Sequence, residues 1–527
     1  MGVFTFELKR RAVPEGKREW IYIPYDQLTA EVGMLSRRDP ADTGIVLVET
    51  PAKAARRPYH KRKLALLLTN LRHFALEQAE RGVAVRHMVA QGDLVATLAK
   101  VAAELGALLV MQPAERELRT DLEPLRKSGH LKIAPHEGWL TTSDDFGAAC
   151  GGSPPYRMDA FYRFVRRKTG YLMDAGRPVG GRFSFDGENR KPWRGQPAAP
   201  APLSFPPDAI TEEVVHLVES RFSTHFGSLE PASLPATLTD AEDLLQHFIK
   251  ESLASFGPFE DAMSVRSRGL FHSRLSELIN LQRLTPARIV RAVLDASVPV
   301  ASKEGFLRQL LGWREFVHHV HDHTEGFRNL GDRPLSNGGF LSAKRTLPQA
   351  YWGAPSGLAC LDEVVRSVRE DAYSHHITRL MVLSNLAVLL DVHPEELSSW
   401  FWIAYADAYD WVVEPNVLGM GTFSMGEVMT TKPYVCGASY INRMGDACGA
   451  CSFDPKTNCP MTNLYWAFLE RKREFLQDNP RMAMPYRSLE RRTPDQRAQD
   501  ARVFEVVNRE LTAGRSLTPD SLTNVTP

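Results

Sequence analysis

The sequence predicts an N-terminal α/β domain built on a parallel sheet, followed by an all-α C-terminal domain. From residue 21 to about residue 146, short apolar runs alternate with amphipathic stretches, the pattern of a parallel sheet wrapped by helices. From Thr211 onward, helical spacing dominates and strand signals almost vanish. A chain of 527 residues is also too long for one ordinary core. We therefore predict an α/β domain over 1–146, a connector over 147–210, a helical domain over 211–511 and a loose polar tail over 512–527.

The short apolar runs of the first domain are its predicted strands. They cover residues 21–23, 44–48, 83–85, 107–111 and 131–134. Residues 60–81 carry leucines and a phenylalanine at helical spacing, which predicts a helix packed on the sheet. No GxGxxG follows the first strand and no GxxxxGK[ST] occurs, so the sequence shows neither the usual dinucleotide motif nor a P-loop.

Charge and hydropathy exclude several classes of protein. Lys and Arg number 64 against 63 Asp and Glu, so binding to a polyanion must depend on local basic clusters. No run of 18 apolar residues occurs, and the first twenty residues lack the features of a signal peptide. We expect a soluble, cytoplasmic protein without a membrane partner.

The cysteines give the clearest metal signal. Four of the six can close around one centre: Cys360, Cys448, Cys451 and Cys459. Cys448 and Cys451 form a CxxC, and thiolates select zinc or iron–sulfur clusters. The spacing alone leaves zinc, a cluster and unrelated thiols equally open. Cys150 and Cys436 are predicted to be ordinary thiols.

Polar side chains in three helical segments suggest a buried ligand. Ser273 and Ser276 can donate to a phosphate, with ordinary helix capping as the alternative. Gln309 and Arg314 lie close together on the predicted helix 306–321, with Trp313 beside them.

A third polar segment follows His375 and His376. Arg379 and Asn385 are the main polar interruptions of its apolar pattern. An arginine in such a position needs an anionic partner, for which Asp407 is the candidate.

Aromatic residues are concentrated between residues 400 and 411. Six occur in twelve positions: Trp400, Phe401, Trp402, Tyr405, Tyr409 and Trp411. Core packing explains most such stretches, and a chain of redox-active rings is the rarer explanation.

A basic segment in the connector is a candidate for phosphate contacts. Residues 156–168 carry Arg157, Arg163, Arg166, Arg167 and Lys168 against one acid, interleaved with aromatic rings. A solvated helix face is an equally good explanation.

Read together, eight segments resemble the iron–sulfur bacterial cryptochromes and photolyases. In chain order they are YRMDAFYRFVRRKTGYLM, GRFSFDGENRKPW, LFHSRLSELIN, GFLRQLLGWREFVHHVH, HHITRLMVLSN, YADAYDW, PNVLGMGTF and CGACSFDP. The resemblance runs from about Ile21 to about Tyr486. It implies the photolyase/cryptochrome fold, with an α/β antenna domain, a connector and a helical domain that holds FAD.

The resemblance also implies roles for individual residues. The four named cysteines would bind a 4Fe-4S cluster, and a 6,7-dimethyl-8-ribityllumazine antenna would contact Asp26, Leu47 and Glu49. FAD would contact Ser273, Leu275, Ser276, Gln309, Arg314, Arg379, Asn385 and Asp407. His375, His376, Tyr434 and Tyr440 would border the lesion pocket. Photoreduction would use Trp400, Tyr409 and Trp352. Independently of the resemblance, the basic residues of the connector predict contacts with DNA phosphate at Arg157, Arg163, Arg166, Arg167, Arg190 and Lys191. The neighbouring acids Asp186, Glu188 and Asp261 are a weaker candidate site for a divalent cation, Mg²⁺.

The implied activity is light-dependent repair of UV-damaged DNA, specifically of (6-4) photoproducts, by a monomer. The alternatives are a blue-light photoreceptor with little or no repair, and a nucleic-acid-binding iron–sulfur scaffold without photochemistry. The sequence departs from the family pattern at Tyr25, where a glycine is usual, and its N-terminus is extended. The spacer from Cys451 to Cys459 is short, and Val413 stands where the family often carries Glu, with Glu414 one place later.

Overall fold

A five-stranded parallel sheet forms the centre of the N-terminal domain. The computed structural model describes residues 2–331 and 335–523. The strands are β1 Glu19–Tyr22, β2 Thr43–Glu49, β3 Ala84–Val89, β4 Leu108–Met111 and β5 Leu131–Ala134, in the order β3-β2-β1-β4-β5. All five predicted strands are present. They form because apolar runs suit a sheet covered on both faces, and every residue of β2 is buried.

Helices cover both faces of this sheet. They are α1 Val3–Arg10, α2 Met34–Arg37, α3 Pro51–Ala54, α4 Lys61–Glu80, α5 Leu94–Leu105, α6 Arg116–Lys127 and α7 Ser143–Cys150. The predicted helix over 60–81 is therefore confirmed as α4. Leu71 and Phe74 of α4 pack with Phe4 of α1 on one face of the sheet. Leu98 of α5 and Leu118 of α6 pack on the other face.

The order of the strands creates a crevice at the carboxyl ends of β1 and β4. After β1 the chain adds β2 and β3 on one side of this strand, and then adds β4 and β5 on its other side. The direction of strand addition reverses between β1 and β4, which makes this the switch point of the sheet. Tyr25 and Asp26 follow β1, and Glu115 follows β4. Side chains from distant parts of the sequence therefore meet at this edge.

The connector is a helix, a small hairpin and an extended proline-rich segment. Its elements are α8 Met158–Thr169, β6 Met173–Asp174 and β7 Arg177–Pro178. The predicted boundary at 146/147 needs correction, because α7 runs across it. A capping box at Thr142 begins that helix, and Gly151, with φ 78°, ends it.

The rest of the chain is helical, as predicted. Beyond Pro178 the described residues form no further strand, apart from an isolated bridge between Arg345 and Val392. The helices are α9 Ala209–Arg221, α10 Leu238–His247, α11 Leu253–Phe259, α12 Ser276–Asn280, α13 Pro286–Asp295, α14 Val300–Leu307, α15 Glu315–Thr324, α16 Ala359–Asp371, α17 His376–Thr378, α18 Asn385–Leu389, α19 Pro394–Ala404, α20 Asp410–Glu414, α21 Ala438–Met444, α22 Pro460–Arg471, α23 Arg473–Leu476, α24 Ala483–Glu490, α25 Pro494–Thr512 and α26 Pro519–Thr523.

The end of the chain is better packed than the predicted loose tail. Leu517 is 1% exposed, and its N–H donates to the carbonyl of Ser356. This apolar anchor fixes the segment after α25, and residues 524–527 of the predicted tail lie outside the described residues. In the part of the chain that the structure describes, no helix is both long and apolar enough to cross a bilayer.

Candidate functional site

A cavity of about 280 Å³ in the helical domain collects residues from segments far apart in the sequence. Five predicted ligand residues line it: Ser273, Ser276, Gln309, Arg379 and Asp407. Three of the walls are π-helical segments, Arg308–Arg314, Arg379–Ser384 and Pro415–Gly421. Such widened turns are frequent at functional sites. No periodicity in the sequence signalled them.

An ion pair forms the polar centre of this cavity. The Arg379 guanidinium donates to Asp407 through Nη1–Oδ1 at 3.1 Å and Nη2–Oδ2 at 3.0 Å. Ser276 Oγ donates to the same carboxylate at 2.7 Å. Burial disfavours the charged carboxylate, but the Arg379 guanidinium holds the pKa of Asp407 below its usual value. The predicted pairing of the lone arginine with Asp407 is therefore present.

Three histidines stand together at one side of the cavity. His375 is buried, whereas the His376 side chain is 43% exposed. His272 stacks on His375 with ring centroids 4.4 Å apart and planes 8° from parallel. Burial lowers the pKa of both His272 and His375 well below its usual value, so these two rings are neutral near pH 7. Sequence reasoning missed His272, which lies inside the LFHSRLS segment.

Two carboxylates approach the histidines from the end of α11. Asp261 lies 3.8 Å from His376 Nε2. The neighbouring Glu260 is buried and accepts hydrogen bonds from Gln309 Nε2 at 2.5 Å and Asn189 Nδ2 at 3.2 Å. Burial raises the pKa of Glu260 to about 7. Sequence reasoning missed this residue too.

The two predicted tyrosines of the lesion pocket do not line the cavity itself. Tyr434 and Tyr440 are half-buried. Burial, and then the nearby carboxylate of Asp186 for Tyr434 and of Asp261 for Tyr440, raises the pKa of each phenol. The structure therefore places them toward the acidic side chains of the connector and of the α11 end.

Three predicted FAD ligands do not line this cavity, and their contacts with FAD stay predictions. Leu275 is fully buried in the helical core. The side-chain amide of Asn385 donates to the carbonyl of Cys436 at 3.1 Å and accepts from the N–H of Cys436 at 2.9 Å. Arg314 pairs with Glu315 at 3.2 Å and lies over the Trp139 ring at 4.2 Å. The resemblance implied these contacts, but neither it nor the helical pattern showed which neighbours the three side chains meet.

At residue 413 the sequence departs from the family pattern, in which a Glu is frequent, and the structure shows whether Val413 or Glu414 faces the cavity. Val413 lines it. Glu414 points to other partners, Arg328 at 2.8 Å and His321 at 3.1 Å. A valine therefore occupies the position in the cavity wall.

The three predicted photoreduction residues lie in three different surroundings. Trp400 is fully buried and packs against Phe401, which lines the cavity, with centroids 5.1 Å apart. Trp352 is 36% exposed and packs edge-on against Phe226. Tyr409 stacks on Tyr25 at 6.1 Å and faces a second cavity.

This second cavity, of about 210 Å³, lies at the switch point of the sheet. Glu49 of the predicted antenna residues lines it, together with Tyr25, Lys53, Arg72 and Glu115. Arg72 donates to Glu49 at 2.7 Å and 3.1 Å, and His87 contacts it at 3.0 Å. Despite burial, these hydrogen bonds lower the pKa of Glu49 to about 2.

The other two predicted antenna residues do not line the second cavity, and their contacts with an antenna stay predictions. Leu47 is fully buried in the apolar core between the sheet and α4. The carboxylate of Asp26 accepts from the backbone N–H of Ala114 at 3.2 Å, and burial raises its pKa to about 6. Both belong to the support behind the cavity wall.

The four predicted ligand cysteines converge in the helical domain. Cys360 lies in the first turn of α16, Cys448 and Cys451 belong to the turn 447–451, and Cys459 precedes α22. Burial, and then the proximity of the other three thiols, raises the pKa of Cys360. Among the described residues, the only three metal-binding side chains with ligand atoms all within 4.8 Å of one another are the three histidines. The four sulfurs are thus close but more widely spaced.

The basic segment of the connector is helix α8 and the residues after it. Arg163 and Arg167 are exposed, as are Arg190 and Lys191. Arg157 is half-buried and donates to the carbonyls of Tyr156 and Glu427.

Arg166 is a correction to the predicted DNA contacts. It is 1% exposed, and its guanidinium donates to the carbonyls of Tyr171, Leu172 and Phe183 at 3.2, 2.6 and 2.8 Å. The reason is helical phase, since Arg166 follows Tyr162 by four residues on the buried face of α8.

The acids predicted to hold Mg²⁺ are already paired with basic side chains. Asp186 contacts Arg190, and Arg308 at 2.9 Å. Glu188 contacts Arg182, and Asp261 lies 3.8 Å from Arg190.

Solved structures identify the fold. A class III photolyase from Agrobacterium tumefaciens superposes with a TM-score of 0.57 at 14% identity, covering 94% of this chain and 99% of the other. A cryptochrome from Synechocystis superposes with a TM-score of 0.55 at 14% identity, covering 92% of this chain and 94% of the other. The chain has the photolyase/cryptochrome fold.

Sequence comparison identifies the family. The family model described as deoxyribodipyrimidine photo-lyase-related protein matches residues 21–234. A (6-4) photolyase from Agrobacterium fabrum is 36% identical over 490 residues, which cover 90% of this chain and 95% of the relative. The chain belongs to the photolyase family that includes this (6-4) photolyase.

Proposed function

We propose that the protein repairs (6-4) photoproducts in UV-damaged DNA, using light and bound FAD. Membership in the family of a (6-4) photolyase supports light-dependent DNA repair. The observation that carries the specific proposal is the first cavity, where the Arg379–Asp407 pair and the exposed His376 border the same space.

The residues of this cavity fit FAD. A buried ion pair and two serine hydroxyls offer polar contacts, and Phe256, Phe306 and Phe401 add apolar walls. His272 Nε2 and His375 Nδ1 are buried without a hydrogen-bond partner in the described residues, and both side chains line the cavity. Unpartnered buried polar atoms are costly, so they indicate a polar ligand or water here. When bound, FAD supplies light absorption and electron transfer.

The chain's own contribution to repair is orientation and proton transfer. Reversal of a (6-4) photoproduct moves a group between two bases, which requires a proton to be given and taken back. His376 is the most exposed histidine of the cavity, so its imidazole is available to a base flipped toward the cavity. The neutral rings of the buried His375 and the half-buried His272 form a stacked pair beside it.

A 4Fe-4S cluster is the proposed occupant of the four-cysteine site. In a tetrahedral zinc site, Zn–S bonds of about 2.3 Å bring the sulfurs to about 3.8 Å from one another. Four converging thiolates can also bind a polynuclear cluster, in which each thiolate binds a different iron, and the resemblance to the iron–sulfur photolyases favours this cluster over zinc. The cluster would join α16, the 447–451 turn and the start of α22.

The second cavity is the proposed site of a 6,7-dimethyl-8-ribityllumazine antenna. Tyr25 and Tyr409 offer aromatic faces, whereas Glu49, Lys53 and Glu115 offer polar contacts. This combination fits a flat heteroaromatic ring that carries a hydroxylated chain.

Damaged DNA would approach the exposed arginines of the connector, and the protein would act as a monomer. Arg163, Arg167, Arg190 and Lys191 are the proposed phosphate contacts. The three carboxylates predicted to bind Mg²⁺ fit this ion poorly, because each already faces an arginine: Asp186, Glu188 and Asp261.

The test is direct repair by the purified, photoreduced protein. A duplex with one defined (6-4) photoproduct is illuminated, and the restored bases are measured by chromatography. We expect restoration in the light and none in the dark, and a duplex with a cyclobutane dimer serves as the specificity control. Light-dependent flavin photoreduction without any restoration would overturn the proposal and favour a photoreceptor.

A further inference from the structure

The N-terminal helix α1 buries one aromatic side chain in the protein, beside the half-buried Leu8. Phe4 is its only buried residue, at 2% exposure. Val3 and Phe6 on the same helix are 43% and 53% exposed. A helix of eight residues is too short to be stable alone, so its position depends on what Phe4 contacts.

Phe4 packs against two side chains that hold Glu49. Its ring meets the His87 ring edge-on, with centroids 4.8 Å apart and planes at 82°. The Arg72 guanidinium carbon lies 5.2 Å from the centre of the same ring. The Phe4 N–H donates to Glu213 at 3.3 Å.

These contacts form a second layer behind the wall of the second cavity. Arg72 donates to Glu49 through Nε and Nη2 at 2.7 Å and 3.1 Å, and to Glu213 through Nη1 at 2.7 Å. Glu49 and Arg72 line the cavity, whereas Phe4, His87 and Glu213 do not.

We propose that Phe4 is a positioning residue of the second cavity, because it fixes the Arg72–Glu49 pair that receives the polar groups of a heteroaromatic ligand. A bidentate arginine–carboxylate pair is directional, and a buried pair repays its desolvation only in good geometry. Phe4 closes the side of this pair that faces away from the cavity. Without its ring, water reaches Arg72 and His87, and the orientation of the Glu49 carboxylate relaxes.

This inference rests on the proposed antenna site and assigns a role to a helix outside it. The full-length protein, Phe4→Ala and Phe6→Ala are titrated with 6,7-dimethyl-8-ribityllumazine, and the quenching of its fluorescence is measured. We expect Phe4→Ala to weaken affinity by about tenfold or more, as second-layer partners of binding side chains do. Phe6→Ala should match the parent, because its ring is exposed on the same helix. Phe4→Leu, which restores apolar bulk, should recover most of the loss.

Two results would overturn the role of Phe4. One is parental affinity in Phe4→Ala. The other is loss of FAD and of cooperative thermal unfolding together with the lumazine, which would make Phe4 a general core residue. If the parent itself fails to bind the lumazine, the antenna proposal falls. In that case, amide hydrogen exchange tests the role of Phe4 without the lumazine. Faster exchange in Phe4→Ala that is confined to β2 and β3 supports the role of Phe4, and unchanged exchange in these strands refutes it.

Discussion

Arg379 and Asp407 meet through two parallel hydrogen bonds of 3.1 and 3.0 Å inside the first cavity. Ser276 Oγ donates to the Asp407 carboxylate at 2.7 Å. The Nε of Arg379 donates to the carbonyl of Ser374, also at 2.7 Å. The ring of Tyr405 lies 4.1 Å from the guanidinium carbon. Residues from three parts of the chain thus hold the pair in place.

Asp407→Asn should therefore cost both FAD binding and stability. The neutral amide leaves Arg379, whose side chain is 22% exposed, without a counter-charge, and we expect a loss below the roughly 3 to 5 kcal/mol of a fully buried pair. FAD content by absorbance and unfolding by urea measure the two effects. The control is Glu123→Gln, which breaks the exposed pairs of Glu123 with Arg126 and Lys127 and should change neither quantity. Full FAD retention in Asp407→Asn would contradict the assignment.

Cys448→Ser should lower the iron content of the purified protein and its broad absorption. The reason is that a cluster with three thiolates loses one of its four anchors. Iron and sulfide analysis gives the readout. Cys150→Ser is the matched control, because Cys150 is also half-buried but its Sγ contacts only the carbonyl of Arg157 among the hydrogen bonds of the described residues. Zinc in place of iron in the parent would refute the cluster.

Arg163 and Arg166 should behave oppositely although they stand three residues apart. Arg163→Gln and Arg167→Gln should weaken DNA binding, each reducing the slope of log affinity against log salt by about one. Arg166→Gln should instead destabilise the connector, because three backbone carbonyls lose their donor. Binding titrations at several salt concentrations and thermal unfolding separate the two. An unchanged slope in the exposed variants would make this face merely solvated.

The sequence predicted those features that depend on periodicity or on a single unpaired charge. The strands were found because apolar runs mark a sheet covered on both faces, and Asp407 was found because a lone arginine in an apolar helix needs an anion. Arg166 was misplaced because the basic cluster was read without its helical phase. Its neighbour Tyr162 shows that phase, so the signal was present.

Glu260 and His272 could not have been found in this way. The partners of Glu260 are Asn189 and Gln309, which lie 71 and 49 residues away in the chain. His272 lies in an irregular turn where Arg274 has φ 55°, so no helix or strand pattern fixes the direction of its ring. Only tertiary packing brings these groups to the cavity.

Glu260 should make the stability of the protein fall as the pH rises from about 4.5 to about 7. Its pKa is raised by burial from 4.5 to about 7, so over that interval the unfolded chain releases a proton that the folded chain retains. The loss amounts to about 3 kcal/mol and is complete above pH 7. Below pH 4.5 both states are protonated and Glu260 has no effect.

Glu260→Gln removes this dependence. The variant should therefore gain stability relative to the parent as the pH rises through the same interval, as measured by urea unfolding at several pH values. The buried Oδ1 of Asn189, which has no hydrogen-bond partner in the described residues, can accept from the new amide. A difference between parent and variant that does not change with pH would show that Glu260 is ionised in the fold.

His376→Ala should abolish repair of the (6-4) photoproduct while leaving the rest of the site intact. The His376 side chain is 43% exposed, so its removal creates no closed cavity in the core. The Arg379–Asp407 pair, the stacked His272 and His375 rings and Trp400 keep their contacts, so FAD content and flavin photoreduction should match the parent. What the variant lacks is the imidazole that gives and takes back the proton at the solvent side of the cavity. His375→Ala is the contrast, since removal of a buried ring should lower the thermal stability and the FAD content as well. Repair at the parental rate by His376→Ala would refute the assignment, and loss of FAD from that variant would make His376 a structural residue.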